Sequence, residues 1–182
     1  APLIRVGLIT ISETEHVLLF DTHHIVSDGT SMDILVRDFV NIYHGEEMPE
    51  LTVQYKDFAE WQNELVETGV MEKQEEFWLE TFSGTIPVLD MPTDYPRPSI
   101  QSFEGSKYSF EIDSQLTEEL KELARKNGTT LFMVFLASYN ILLSKYSGQE
   151  DIVVGSPIAG RSHVDIQNVI GMFINTLAMR NY

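Results

Sequence analysis

His23-His24-Ile25-Val26-Ser27-Asp28-Gly29-Thr30-Ser31 is the stretch on which the reading of this chain turns. Two imidazoles and a carboxylate lie close together, directly after the apolar run Val17-Leu18-Leu19-Phe20. That placement predicts a strand opening into a loop that bears the histidines. Imidazole is the side chain best matched to moving protons near neutral pH. Asp28 is suited to fixing an orientation, and Gly29 to a sharp turn or a close approach to a ligand. Beyond the loop, Met32, Leu35, Val36, Phe39 and Tyr43 recur at helical spacing, with Thr30 or Ser31 as the expected cap and Gly45 as the stop. The loop therefore leads into a helix N-terminus, where backbone N–H groups are free.

Working outward, Leu3–Ile11 and His16–Asp21 read as a hairpin closed by Ser12-Glu13-Thr14-Glu15. Two helices follow at about Gln54–Glu67 and Glu72–Thr81, divided by Gly69. Their aromatic stripes, Tyr55, Phe58 and Trp61 in the first, fit a core. Pro87, Pro92, Pro96 and Pro98 then make an extended, stiff connector, the best candidate for a boundary between two lobes. After it, Lys107–Ile112 alternates as a strand, and Asp113 or Ser114 caps a helix that ends at Asn127-Gly128. Thr130–Tyr146 reads as a largely buried helix closed by Gly148, Asp151–Val154 as a short strand, Ser156–Arg161 as a loop and Met172–Met179 as a final strand. The fold class is α/β (α+β).

Composition narrows the function. The 182 residues are 43% hydrophobic, enough for a core, and contain no Cys, which excludes disulfides and thiol nucleophiles. A formal charge of −16 argues against nucleic acid and against anionic membrane surfaces as partners. The most apolar segment, Leu131–Leu143, is shorter than the about 20 residues that span a bilayer. No signal-peptide pattern opens the sequence, and the expected location is cytoplasmic. Both ends fall inside strand patterns, so the chain reads as an internal piece of something longer.

Three chemistries compete for the histidine cluster. A metal site lacks ligands, because His16, His44 and His163 lie in unrelated contexts. Serine hydrolysis lacks a nucleophile elbow, since Gly155-Ser156-Pro157 has the wrong flanks. Acid–base work by one imidazole, without a protein nucleophile, needs nothing more than is present. The motif alone is equally compatible with a satisfied core histidine.

Four blocks in order decide between these. His23–Ser31 resembles the HHxxxDG signature of nonribosomal peptide synthetase condensation domains. Tyr55-Lys56-Asp57-Phe58-Ala59-Glu60-Trp61 resembles the family's YxDFAxW block, and Pro92–Pro98 is similar to its inter-lobe linker. Ile170-Gly171-Met172-Phe173-Ile174-Asn175-Thr176-Leu177-Ala178-Met179-Arg180 resembles its IGxFVNTLxxR block.

The resemblance implies a chloramphenicol-acetyltransferase-like, two-lobe V-shaped fold, here partial. Residues 1–90 would form the back part of the N-terminal lobe, 91–105 the linker and 106–182 the front part of the C-terminal lobe. It implies condensation of a carrier-bound acyl or peptidyl thioester with the amine of a carrier-bound aminoacyl group. No cofactor would bind directly; substrates would arrive on 4′-phosphopantetheine arms. Partners would be the donor and acceptor carrier domains and a neighbouring adenylation domain. His24 maps onto the catalytic histidine, His23 onto a largely structural position, Asp28 onto a loop-shaping one and Gly29 onto a backbone close to the reacting centre. Asn175 and Ser31 are the expected substrate contacts, with no metal.

Departures qualify this. The family's SxAQxRLW and RHExLR blocks and its later blocks are absent, so the arginine expected to pair with Asp28 is expected to be missing, and the piece alone to be inactive. Thr22 and Thr30 stand where the family often has Met and Trp. The rivals are an epimerisation domain, a coenzyme-A-type acyltransferase of the same superfamily and a non-catalytic carrier-docking module. The intact Phe173-Ile174-Asn175-Thr176 favours condensation over epimerisation, and His23-His24 counts against heterocyclisation.

Overall fold

Alternating residues on either side of a tight turn give the first element. In the computed structural model, which describes residues 2–182, β1 (Ile4–Thr10) and β2 (His16–Thr22) pair antiparallel, from Ile4 opposite Thr22 to Thr10 opposite His16. The His23 N–H adds one more rung, donating to the Leu3 carbonyl at 2.8 Å. A 3-10 turn over His24–Val26 follows, then α1 (Gly29–Tyr43), α2 (Tyr55–Glu67) and α3 (Glu72–Thr81). α4 (Ser114–Lys126) and α5 (Leu131–Ser147) lead to β3 (Ile152–Ile158), a second 3-10 turn over Val164–Ile166 and β4 (Asn175–Asn181), which pairs with β3.

Two compact units result. One comprises the chain through Thr81 together with Ser156–Leu177; the other comprises Phe82–Gly155 and Ala178–Tyr182. In the first, Phe58, Ile166, Val169 and Phe173 form a buried cluster against which Val53 and Tyr55 pack. Phe173 lies 4.7 Å from the Phe58 ring and meets Tyr55 edge-on at 5.1 Å, spacings at which aromatic pairs add to their burial. In the second, α4 packs on α5. There the Gln149 side chain pins the proline-rich stretch, accepting from the Asp90 N–H and donating to the Val88 carbonyl. Arg180 holds Asp151 at 2.6 Å and reaches the Thr85 carbonyl at 3.2 Å.

Three local expectations are corrected. α1 is capped by Asp28, not by Thr30 or Ser31, because the Asp28 carboxylate reaches the Ser31 N–H at 2.8 Å. Lys107–Ile112 forms no strand. An alternating sequence becomes a strand only when its N–H and C=O groups find a ladder, and no described residue supplies one. α5 starts and stops as expected, with Thr130 accepting from the Met133 N–H and Gly148 at φ 70°. Its burial is another matter: of its residues only Leu143 is buried, and Ile141 and Tyr146 are more than half exposed. Apolar composition states what a helix face prefers; neighbouring segments decide whether that preference is met.

Two glycines in the first unit are required by packing. Gly160 has φ +66°, and a Cβ there would overlap the Phe173 carbonyl oxygen. A Cβ on Gly171 would overlap the Tyr55 ring. Gly29 differs: its φ is not in the left-handed region, and a Cβ would meet nothing within 4 Å. Gly160→Ala and Gly171→Ala are each expected to destabilise the fold by about 1–3 kcal/mol, while Gly29→Ala leaves it unchanged. Urea-unfolding midpoints of the three variants check this.

Candidate active site

The loop between β2 and α1 is built by its own side chains. His23 precedes the first 3-10 turn, and its Nδ1 accepts from the Ile25 N–H at 3.0 Å. The next ring makes the opposite bond. His24 Nδ1 lies 2.7 Å from the Ser27 carbonyl oxygen. A carbonyl only accepts, so Nδ1 of His24 carries a hydrogen, and in the neutral ring the lone pair is on Nε2. A backbone N–H only donates, so Nδ1 of His23 is the bare nitrogen. In their neutral forms the two adjacent imidazoles are held in opposite tautomers, with Nε2 the accepting nitrogen of His24. His24 is exposed.

Asp28, 4% exposed, anchors the loop from beneath. Its Oδ1 accepts from the Ser31 N–H at 2.8 Å, the Ser31 hydroxyl at 2.7 Å and Arg161 at 3.1 Å; its Oδ2 accepts from the Phe173 N–H at 3.0 Å. Burial pushes the carboxyl upward, but the bonds from Ser31, Phe173 and Arg161 outweigh it and hold the group at about 2, against an ordinary 3.8.

Arg161 is the residue that sequence reasoning missed. The arginine partner of Asp28, expected to be missing from this chain, is present: its side chain is 5% exposed and pairs with Asp28. Its other terminal nitrogen donates to the carbonyls of Ile166 at 2.8 Å and Val169 at 2.6 Å, and its guanidinium lies 4.0 Å over the Phe173 ring. The available signal was an arginine directly after Gly160 in a mostly apolar loop of an acidic chain. Nothing in that spacing identified its partner.

Ser31, expected at the substrate, is 1% exposed. Its hydroxyl shares one hydrogen between Asp28 and the Gly171 carbonyl, and accepts from Arg161 and the Gly171 N–H. It is spent on holding residue 171 against α1. Tyr55 assists from α2, its hydroxyl donating to the Met172 carbonyl at 2.9 Å. Asn175, by contrast, is exposed at the start of β4, its Oδ1 accepting from the Thr176 N–H. The structure thus brings Asp28, Ser31, Arg161, Gly171 and Phe173 into one hydrogen-bonded cluster. Among the described residues no group of three or more His, Asp or Glu side chains is arranged to hold a metal ion, and no helix is long and apolar enough to cross a membrane.

A sequence model described as the condensation domain matches residues 1–182. The chain belongs to the condensation-domain family. It is 57% identical to Gramicidin S synthase 2 of Brevibacillus brevis over 181 residues, which is 100% of this chain and 4% of that one. Among solved structures, a four-domain nonribosomal peptide synthetase bound to AMP and glycine superposes with a TM-score of 0.85 at 29% identity, covering 100% of this chain and 14% of the other. The X-domain of teicoplanin biosynthesis, in complex with OxyB, superposes with a TM-score of 0.86 at 28% identity, covering 98% and 42%. The condensation-domain segment therefore has the mixed helix–strand fold of its family and spans only part of it.

The buried pair sets two expectations. Arg161→Met leaves an unpaired buried carboxylate and is expected to cost about 3–5 kcal/mol in urea unfolding. Acid should act through Asp28 as well. Well above 3.8 it is ionised whether the chain is folded or unfolded, and its stabilisation, about 2 kcal/mol, is fully present. As pH falls below 3.8 the unfolded chain takes up the proton first, and the stabilisation is lost on approaching pH 2. Asp28→Asn should flatten stability across that window in a pH series of unfolding curves.

Proposed function

We propose that the domain to which these residues belong forms an amide bond between two carrier-bound substrates. The amine nitrogen of an aminoacyl acceptor attacks the carbonyl carbon of a donor thioester. The tetrahedral adduct collapses, the C–S bond breaks, and the pantetheine thiol leaves with a proton. The observation that carries this reading is His24: the Nδ1 bond to Ser27 leaves Nε2 as an accepting nitrogen on an exposed loop. Nε2 takes the proton given up by the attacking nitrogen and returns it to the departing sulfur. An α-amine has a pKa of about 8, so part of the acceptor is already neutral at neutral pH. Positioning of amine and carbonyl then supplies much of the rate, and His24 acts as orienter and shuttle.

In this reading no cofactor binds the chain directly, and 4′-phosphopantetheine arms of donor and acceptor carrier domains bring the substrates. A neighbouring adenylation domain is the further partner. Residues 1–90 belong to the N-terminal lobe, 91–105 to the linker and 106–182 to the C-terminal lobe, although Ser156–Leu177 of the last packs with the unit that contains the chain through Thr81. Asp28, Ser31 and His23 hold the loop. Gly29 admits a ligand close to the backbone, consistent with the open space above its Cα. Asn175 offers its amide NH2 to substrate.

A second reading is a docking module without chemistry, favoured by the likeness to an X-domain whose solved structure is a complex with OxyB. The two separate in the full-length parent synthetase with loaded carriers. On the condensation reading, His24→Ala lowers peptide formation by about 10²–10⁴-fold while carrier binding persists, and Gly29→Val lowers it without lowering the unfolding midpoint. Unchanged product from His24→Ala would leave only the docking reading. The isolated 182-residue chain is expected to yield no peptide.

A further inference from the structure

The unit that carries the histidine loop also contains a cavity that the reaction does not use. It lies between α2 and the second 3-10 turn and measures about 240 Å³. That is below the roughly 300–1,000 Å³ of sites for drug-sized ligands, and suits a single side chain. Its base is apolar: Phe58 and Ile166 are buried, and Val53 packs beside them. Trp61, 44% exposed and 5.9 Å from the Phe58 ring, forms an aromatic wall.

The rim is acidic. Asp57 and Asp165 both line the opening and both are exposed. Asp57 uses Oδ2 to accept from the Gln54 N–H at the start of α2, and among the described residues no donor occupies Oδ1. His163 is the remaining polar residue there. Its Nδ1 lies 3.3 Å from the Asp165 N–H and 3.4 Å from Asp165 Oδ2. Along α2, Asp57, Glu60, Glu64 and Glu67 outnumber Lys56.

An apolar base, an indole face and two carboxylates select for one kind of group. Anionic groups are repelled, and a purely aliphatic one leaves the carboxylates unused. An ammonium is a compact, strongly hydrated charge, whereas a guanidinium stacks on an indole and bonds a carboxylate through two N–H groups at once. We propose that this cavity receives an arginine side chain presented by a separate partner protein, not by the rest of the same synthetase. The stem would lie on Val53 and Ile166, and the guanidinium would stand against Trp61 between Asp57 and Asp165. The site is independent of the reaction at His24.

The test uses the full-length parent synthetase and a photoreactive N-acetyl-arginine amide whose acyl group bears a diazirine. Irradiation should label the peptides containing Val53–Trp61 or His163–Ile166. Unlabelled N-acetyl-arginine amide should compete, and the isosteric but neutral citrulline amide at least tenfold less well. Asp57→Asn with Asp165→Asn should cut labelling at least fivefold. The amide oxygen introduced by Asp57→Asn still accepts from the Gln54 N–H, so α2 keeps its start. Asp165→Glu, which keeps the charge, should retain labelling. Labelling only elsewhere, equal competition by citrulline, or undiminished labelling of the double variant would overturn the proposal.

Discussion

The carboxylate of Asp28 is the constraint on which the histidine loop depends. It is buried, ionised and shared among donors from three places: the first turn of α1, the Arg161 guanidinium and the Phe173 backbone. Residues 28 and 161 are 133 positions apart, and 28 and 173 are 145 apart. Closing loops of that length costs roughly 4 kcal/mol, while one ordinary hydrogen bond contributes about 1 kcal/mol net. No single contact could hold the junction. It persists because Phe173 donates to Asp28 from its backbone while its ring fills the core between Phe58 and Tyr55 and lies under Arg161. Charge pairing and apolar burial act on the same residue, so the loop cannot shift without opening the core.

The division of labour between carboxylate and imidazole differs from that of a serine-protease triad. There a carboxylate orients the imidazole. Here Asp28 is engaged by Ser31, Arg161 and Phe173, and the partner of His24 Nδ1 is the Ser27 carbonyl. A carbonyl fixes the tautomer without placing a negative charge beside the ring. Asp28 therefore acts at one remove, on the path of the backbone that carries Ser27, and its loss should disturb the loop's geometry before it disturbs any proton.

What could be read from the residues alone follows the range of the interaction. The hairpin, α1, α2, α3, α4 and α5 rest on periodicity and caps, which are local, and they were legible. So was the placement of His23 and His24 directly after an apolar strand. Arg161 was not, because a buried ion pair across 133 positions leaves no mark on either neighbourhood. Ser31 misled for the same reason: a hydroxyl beside the histidine loop reads as a substrate contact until Gly171 is seen packed against it. Lys107–Ile112 and the faces of α5 failed because pairing and burial belong to neighbours, not to the segment.

Fold alone does not decide the chemistry, since one architecture hosts several functions. The solved relatives include both a peptide synthetase and an X-domain bound to OxyB, at nearly equal TM-scores. The cluster of Asp28, Arg161 and Phe173 cannot discriminate between them, because any domain that keeps this loop needs it for stability. Discriminating features are those the fold does not require. Gly29 is one: its φ is ordinary and a Cβ would touch nothing, so packing gives no reason for glycine there. His24 is another: the residue is exposed, and its Nδ1 bond to the Ser27 carbonyl does not use Nε2. At Gly29 the fold therefore leaves the choice of residue to something other than packing.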